Sequence, residues 1–173
     1  MTAPRRAAGF TLIELMCVIA ILAIVTTLGV PSFTTMIKNN RMVTATNDLN
    51  AILQYARAEA VRRGGNVSVS AVAGNINNGL RVWADDGDNN YESGEELRVF
   101  TVDSADITLA TKVGAVANQN LDFTFNARGL VGGLSDTVTI GLCDDRTGNH
   151  GRQLTLLTSG VVRLKPNIAC SGS

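Results

Sequence analysis

Between Arg6 and Lys38 the chain carries a single charged residue, Glu14, inside an apolar run from Phe10 to Ile37. A run of about 28 residues, as a helix, is long enough to cross a hydrocarbon core of about 30 Å. Arg5 and Arg6 precede it and would hold the N-terminus on the cytoplasmic side. A cleaved secretory signal is the competing reading. It needs small residues at a cut after 7–15 apolar residues, and Ala23-Ile-Val-Thr-Thr27 is a poor match. A carboxylate at membrane depth is costly unless paired, so Glu14 is a functional candidate by default. The alternative is a neutral or snorkelling Glu in a simple anchor.

The remaining arithmetic excludes several classes. Of 173 residues only 17% are charged, 15 basic against 15 acidic. That balance argues against a generally basic nucleic-acid binder, although a local patch stays open. His150 is the only histidine, which rules out His-rich metal centres, and three cysteines cannot build a Cys₄ zinc site. There is no Gly-x-Ser-x-Gly elbow and no phosphate loop. No catalytic constellation is supported, so the chain reads as a non-enzyme that requires no cofactor.

Past the apolar run, Ala45, Leu49, Ile52, Leu53, Ala56 and Ala60 recur on one helical face, and Gly64-Gly65 is a stop. The helix is expected to continue from Ser32 to Arg63, bent or loosened at Pro31. Its apolar face is too irregular for heptads and reads as packing on the chain's own sheet rather than as a coiled-coil seam. After Gly65 the period changes to two. Short apolar runs at 67–72, 80–83, 97–102, 107–110, 121–125, 137–143, 153–158 and 161–165 are separated by Gly- and Asn-rich turns. The expected fold class is α+β: one long N-terminal helix packed on a small antiparallel β-sandwich-like head.

Gly9-Phe10-Thr11-Leu12-Ile13-Glu14, followed by an unbroken apolar run, resembles the processing site of type IV prepilins and type II secretion pseudopilins. The layout is similar to the FimT/FimU/GspH group of minor pilins. Glu59-Ala-Val-Arg-Arg-Gly64, the early strand with Trp83, the acidic loop and Ser159-Gly-Val-Val-Arg163 extend the likeness more loosely. The resemblance implies a leader at 1–9, a transmembrane helix at 10–33 and a periplasmic head at 34–173. The head would consist of an amphipathic helix at 34–64 and a β-rich part at 65–173. It implies cutting between Gly9 and Phe10 by a prepilin peptidase and N-methylation of Phe10. It also implies a Glu14 that pairs with the N-terminal amine of a neighbouring subunit, and Pro31 at the family's helix kink. The partners implied are other pilins or pseudopilins, and the locations are the inner membrane and then the filament, where such a subunit primes or caps assembly.

Four further expectations follow. In a periplasmic head Cys143 and Cys170 would be the only thiols, so a disulfide is the natural reading against two free thiols; Cys17 belongs to the apolar run. Asp86, Asp88, Asn90, Glu92 and Glu95 have a spacing similar to a Ca²⁺ loop, but Tyr91 replaces the glycine of an EF-hand and helical flanks are missing. The competing reading is a solvated hairpin tip whose Asp, Asn and Gly residues make turns. Arg152, Arg163 and Lys165 are candidate contacts to DNA phosphates in the manner of FimT-like DNA-uptake pilins, although Val161 replaces the first arginine of that group's Gly-Arg-x-Arg motif. The alternative is solvated strand-edge charge. His150, in Gly148-Asn-His-Gly151, reads as a loop residue.

Overall fold

The structure, a computed structural model, describes residues 9–102 and 106–172, and of Leu28 the backbone only. The expected leader, apart from Gly9, lies outside the described residues. Helix α1 runs from Leu12 to Arg63 and continues through Pro31. It ends in two glycine hydrogen bonds, Gly64 N–H to the Val61 carbonyl and Gly65 N–H to the Ala60 carbonyl, both 3.3 Å. With Gly64 at φ 65°, this is the left-handed glycine stop that satisfies the last helical carbonyls.

The chain divides into two compact units, Met1–Lys38 and Asn39–Ser173. In the first, the large apolar side chains described between Phe10 and Ile37 are exposed, Phe10 at 83% and Phe33 at 67%. The hydroxyls in this stretch turn back onto the helix. Thr26 donates to the Leu22 carbonyl at 2.9 Å, and Thr34 and Thr35 to the Pro31 carbonyl at 2.9 and 3.1 Å. Polar groups satisfied within the helix leave an outer surface that is apolar, which suits lipid or another helix.

Among the described residues, the buried hydrophobic ones lie at Met42 or beyond, in the second unit. Leu49, Ile52, Leu53, Ala56 and Ala60 are buried as expected, Ala45 packs beside them, and Met42 extends the face. This face belongs to the chain's own core and is not a coiled-coil seam. Ten strands follow: β1 (Val67–Ala71), β2 (Leu80–Ala84), β3 (Glu96–Phe100), β4 (Thr108–Val113) and β5 (Val116–Ala117), then β6 (Asp122–Phe125), β7 (Val131–Gly132), β8 (Val138–Cys143), β9 (Thr147–Leu156) and β10 (Val162–Ser171). They form two antiparallel five-stranded sheets, ordered β3-β2-β1-β6-β7 and β10-β9-β8-β4-β5. Alternation puts Val67, Val69, Val82, Phe123 and Phe125 of the first sheet into the core with Leu109, Ile140, Leu142, Leu154 and Leu156 of the second.

One expectation is corrected. Gly148-Asn-His-Gly151 is not a loop; it is part of β9, which starts at Thr147 and pairs with the end of β10. The two glycines hide the strand pattern, and one is required there. A Cβ at Gly151 would fall 2.5 Å from Cys170 Sγ and 2.7 Å from Ile168 Cγ1. Register shifts around Ile168 bend β10 across this point, so only a bare backbone fits beneath it.

Candidate functional site

The N-terminal site begins with local chemistry. Glu14 N–H donates to Thr11 Oγ1 at 3.2 Å, and Thr11 N–H lies 3.5 Å from Glu14 Oε2. Thr11 is the residue before α1 and Glu14 is its third helical residue. The pair is therefore a reciprocal capping box, which satisfies amide N–H groups that the first turn would leave bare. Thr-x-x-Glu ahead of an apolar run is a legible signal for such a cap, and sequence reasoning that read Glu14 only as a charge passed over it. The first charged residue of the helix thus has a structural partner in the isolated chain. Gly9 and Phe10 precede the helix as exposed, non-helical residues, which suits a cleavable bond. Pro31 lies further along the same exposed helix.

In the head, Cys143 at the end of β8 and Cys170 in β10 form a disulfide with Cα atoms 5.7 Å apart. It pins the last strand to the second sheet.

The hairpin between β2 and β3 holds the acidic residues. Carboxylate oxygens of Asp85, Asp86 and Asp88 lie within 4.8 Å of one another. Glu92 and Glu95, expected with Asn90 to complete a ligand set, are not in that group of carboxylates. Asp85, absent from the expected set, is buried. The acids already serve the loop. Asp85 Oδ1 accepts from Gly87 N–H at 2.8 Å and Asn89 N–H at 3.2 Å, Asp88 Oδ1 from Asn90 N–H at 2.7 Å, and Glu95 Oε2 from Glu92 N–H at 2.9 Å. Ser68 Oγ donates to Asp85 Oδ2 at 3.1 Å, tying the loop to β1. Burial, with the charge of Asp85 adding, pushes the nearby Asp122 carboxyl above its ordinary value.

The three residues proposed for DNA do not share a surface. Lys165 pairs with Gln153 and Arg163 with Thr155, so both point out from the second sheet, whereas Arg152 pairs with Pro166 and projects to the other side. The outward face gains a residue that sequence reasoning missed. Lys112 pairs with Thr139, Thr139 with Thr155, and Thr155 with Arg163, which sets Lys112 and Arg163 on one row. No signal in the sequence links β4 to β10; only the strand order does.

A family profile described as type II transport protein GspH matches residues 45–160. The chain belongs to the GspH family. The prokaryotic N-terminal methylation motif matches residues 4–30. No curated protein matches the chain by sequence. Among solved structures, the type IV minor pilin FimU of Pseudomonas aeruginosa is 27% identical, with a TM-score of 0.61, covering 77% of this chain and 95% of that one. The minor pseudopilin EpsH of the Vibrio cholerae type II secretion system shares the fold at 16% identity and a TM-score of 0.51, covering 72% of this chain and 94% of that one. This GspH-family chain is a minor pilin or pseudopilin with the pilin arrangement of one long helix and two antiparallel sheets. The match to the methylation motif spans Gly9, Phe10 and Glu14, the segment that carries the cap and opens the exposed helix.

Proposed function

We propose that the protein is an assembly subunit that primes or caps a pilus or a type II secretion pseudopilus. It is held in the inner membrane by α1, with its head in the periplasm, until extraction. Prepilin peptidase cuts between Gly9 and Phe10, and Phe10 is N-methylated. The new ammonium group then donates to the Glu14 carboxylate of an incoming subunit, and other pilins or pseudopilins cover the exposed apolar helix. The observation that carries this reading is Glu14 itself: the sole charge between Arg6 and Lys38, at the start of an exposed apolar helix matched by the methylation motif. In low dielectric a paired carboxylate is far better than a lone one, so pairing fixes the register between subunits. The test is mass spectrometry after expression with and without prepilin peptidase. Loss of residues 1–9 with a methylated Phe10 is expected; an intact N-terminus beside an active peptidase would refute the proposal. Glu14→Gln should be cleaved but fail to enter filaments.

A second reading, a DNA-binding minor pilin of the FimT kind, draws on the outward row of Lys112 and Arg163 with Lys165 two residues on. Phosphate neutralisation by three cations gives salt-dependent binding. In a gel shift, loss of binding in a Lys112→Ala, Arg163→Ala, Lys165→Ala triple variant would support it. Binding that survives the triple variant, or none in the native chain, would count against it.

A further inference from the structure

On the inward side of β9, where its pairing with β8 ends at Leu142–Arg152, Arg152 and His150 stand two residues apart along the strand. With Asn39 and Met42 of α1, Asn149 of β9 and Asn167 of β10 they line a cavity of about 260 Å³. The lining is unusual in composition: one guanidinium, one imidazole, three carboxamides, one apolar floor and no carboxylate. Arg62, Arg63, Arg81 and Arg146 all make ion pairs, whereas half-buried Arg152 has no carboxylate partner among the described residues.

The surroundings orient these donors. Arg146 Nη1 donates to Asn39 Oδ1 at 2.9 Å, which occupies the oxygen of that carboxamide and leaves its NH₂ to donate elsewhere. The nearby Asp144 does not oppose an anion. Burial alone would raise its pKa, but hydrogen bonds from Arg146 at 2.8 and 2.6 Å, with the field of His150 adding, hold it below its ordinary value as a neutralised pair. Asn167 sits at φ 58° in the irregular stretch of β10, a left-handed position that Asn tolerates and that turns it out of the ladder.

We infer that this cavity is a binding site for a single phosphate group, and that its source is the head group of a bilayer phospholipid. Arginine with carboxamide donors suits phosphate oxygens, and a cavity of this size holds one such group rather than a polymer. The head-group source rests on the proposed membrane-held state. The part of α1 from Leu12 to Ile37, about 26 residues, spans about 39 Å, close to the 40–45 Å of a bilayer with its head groups. Asn39 follows Ile37 by two residues in the chain and so emerges among those groups. A phosphate held there would keep the subunit seated until extraction.

The test uses the full chain in uncharged detergent micelles. His150 is the only histidine, so its ring resonances in NMR report the cavity without ambiguity. Inorganic phosphate at constant pH and ionic strength should move them saturably. Phosphatidylglycerol doped into the micelles should do so at a total phosphate concentration at least tenfold lower. Arg152→Gln and Asn167→Asp should each weaken both responses at least tenfold with unchanged melting temperature, while Arg128→Gln should leave them alone. No saturable shift with either probe, or a shift indifferent to both cavity variants, overturns the site. Equal potency of lipid and free phosphate overturns the head-group source. Peptidase cleavage is scored on the same preparation. Cleavage with silent His150 signals sinks the cavity alone, and a phosphate response in an uncleavable chain sinks the pilin reading alone.

Discussion

The two sheets do the same work on their inner faces and opposite work on their outer ones. The first covers part of its outer face, around Trp83, with the acidic hairpin. Trp83, which alternation points outward beside Ser68, is nonetheless only 2% exposed. Tyr91 from the hairpin meets it edge-on at 6.1 Å, Arg81 lies over the Tyr91 ring at 4.0 Å, and Arg81 Nε pairs with Glu96 at 2.9 Å. Trp83 Nε1 donates to Ser70 Oγ at 3.2 Å, so the indole has a polar partner as well. The second sheet leaves Lys112, Arg163 and Lys165 in solvent and closes only one corner, with Ile168 and the disulfide lying over Gly151. A sheet covered by its own loop is finished, whereas one left open is available to partners.

The largest expected effect breaks the first half of that contrast. Trp83→Ala removes the residue on which the hairpin rests and should cost about 3–5 kcal/mol, the range for deleting a buried large aromatic. Thermal melting of the head checks it. Tyr91→Ala should cost less, while making the hairpin susceptible to proteolysis. A Trp83→Ala loss below about 1 kcal/mol would mean that the hairpin does not cover the sheet in this way.

Breaking the second half comes next. Replacing Cys143 and Cys170 together by Ala opens a closure of 27 residues. In the chain-entropy account this costs about 3–4 kcal/mol. Reduction of the native protein should give a similar drop in melting temperature. Because the bridge seats β10 over Gly151, amide exchange should rise first at 166–171 and leave the first sheet unchanged. Uniform loss of protection in both sheets would show that the corner is not local.

What could be read in advance follows the same division. Helix α1 and most strands were legible because local periodicity and glycine stops write them directly. Leu49 to Ala60 and Gly64-Gly65 behave as their spacing says. The N-terminal methylation motif was legible because its residues are immediate neighbours in the chain. Two-residue β5 and β7 are too short to show a period, and β9 was foreshortened because Gly148 and Gly151 answer to Ile168 and Cys170, distant in sequence. The burial of Trp83 depends on a loop that reads as solvent-exposed. Arg152 looked like a companion of Arg163, and a difference of strand parity separates them. Long-range pairing decides each of these, and no window of sequence contains it.

A smaller effect sharpens the covered face. Asp122 lies on β6 beside Ser70 and near Asp85, and burial raises its carboxyl above the ordinary value. A raised acid in the folded state favours the protonated form. Its stabilising contribution is therefore full below the unfolded value, near 4, and is lost as pH rises through the folded one. Asp122→Asn should raise the melting temperature at pH 7 and lose that advantage on acidification to pH 3. Glu59 has the opposite sign. Hydrogen bonds from Arg62, then Arg63, hold it down to about 2. Its contribution is present above the unfolded value and fades as pH falls from about 4.5 toward 2. Glu59→Gln should therefore be destabilised at pH 7 and approach the native protein near pH 2. Equal melting shifts at both pH values for either variant would refute the assignment.

The smallest effect concerns the hairpin itself. Asp85, Asp88 and Glu95 each use carboxylate oxygens to hold backbone N–H groups of their own loop, and the Tyr91 contacts hold it to the sheet. A calcium ion would have to compete for those oxygens and still find six to eight ligands. The hydrogen bonds therefore favour a self-sufficient hairpin tip over a metal loop, with added calcium or EGTA shifting the melting temperature by less than about 1 °C. A calcium-dependent rise of several degrees, lost in Asp86→Asn with Asp88→Asn, would reverse that preference and make the cover of the first sheet ligand-dependent. The two outer faces would then both be open to partners, one by default and the other on loss of its ion.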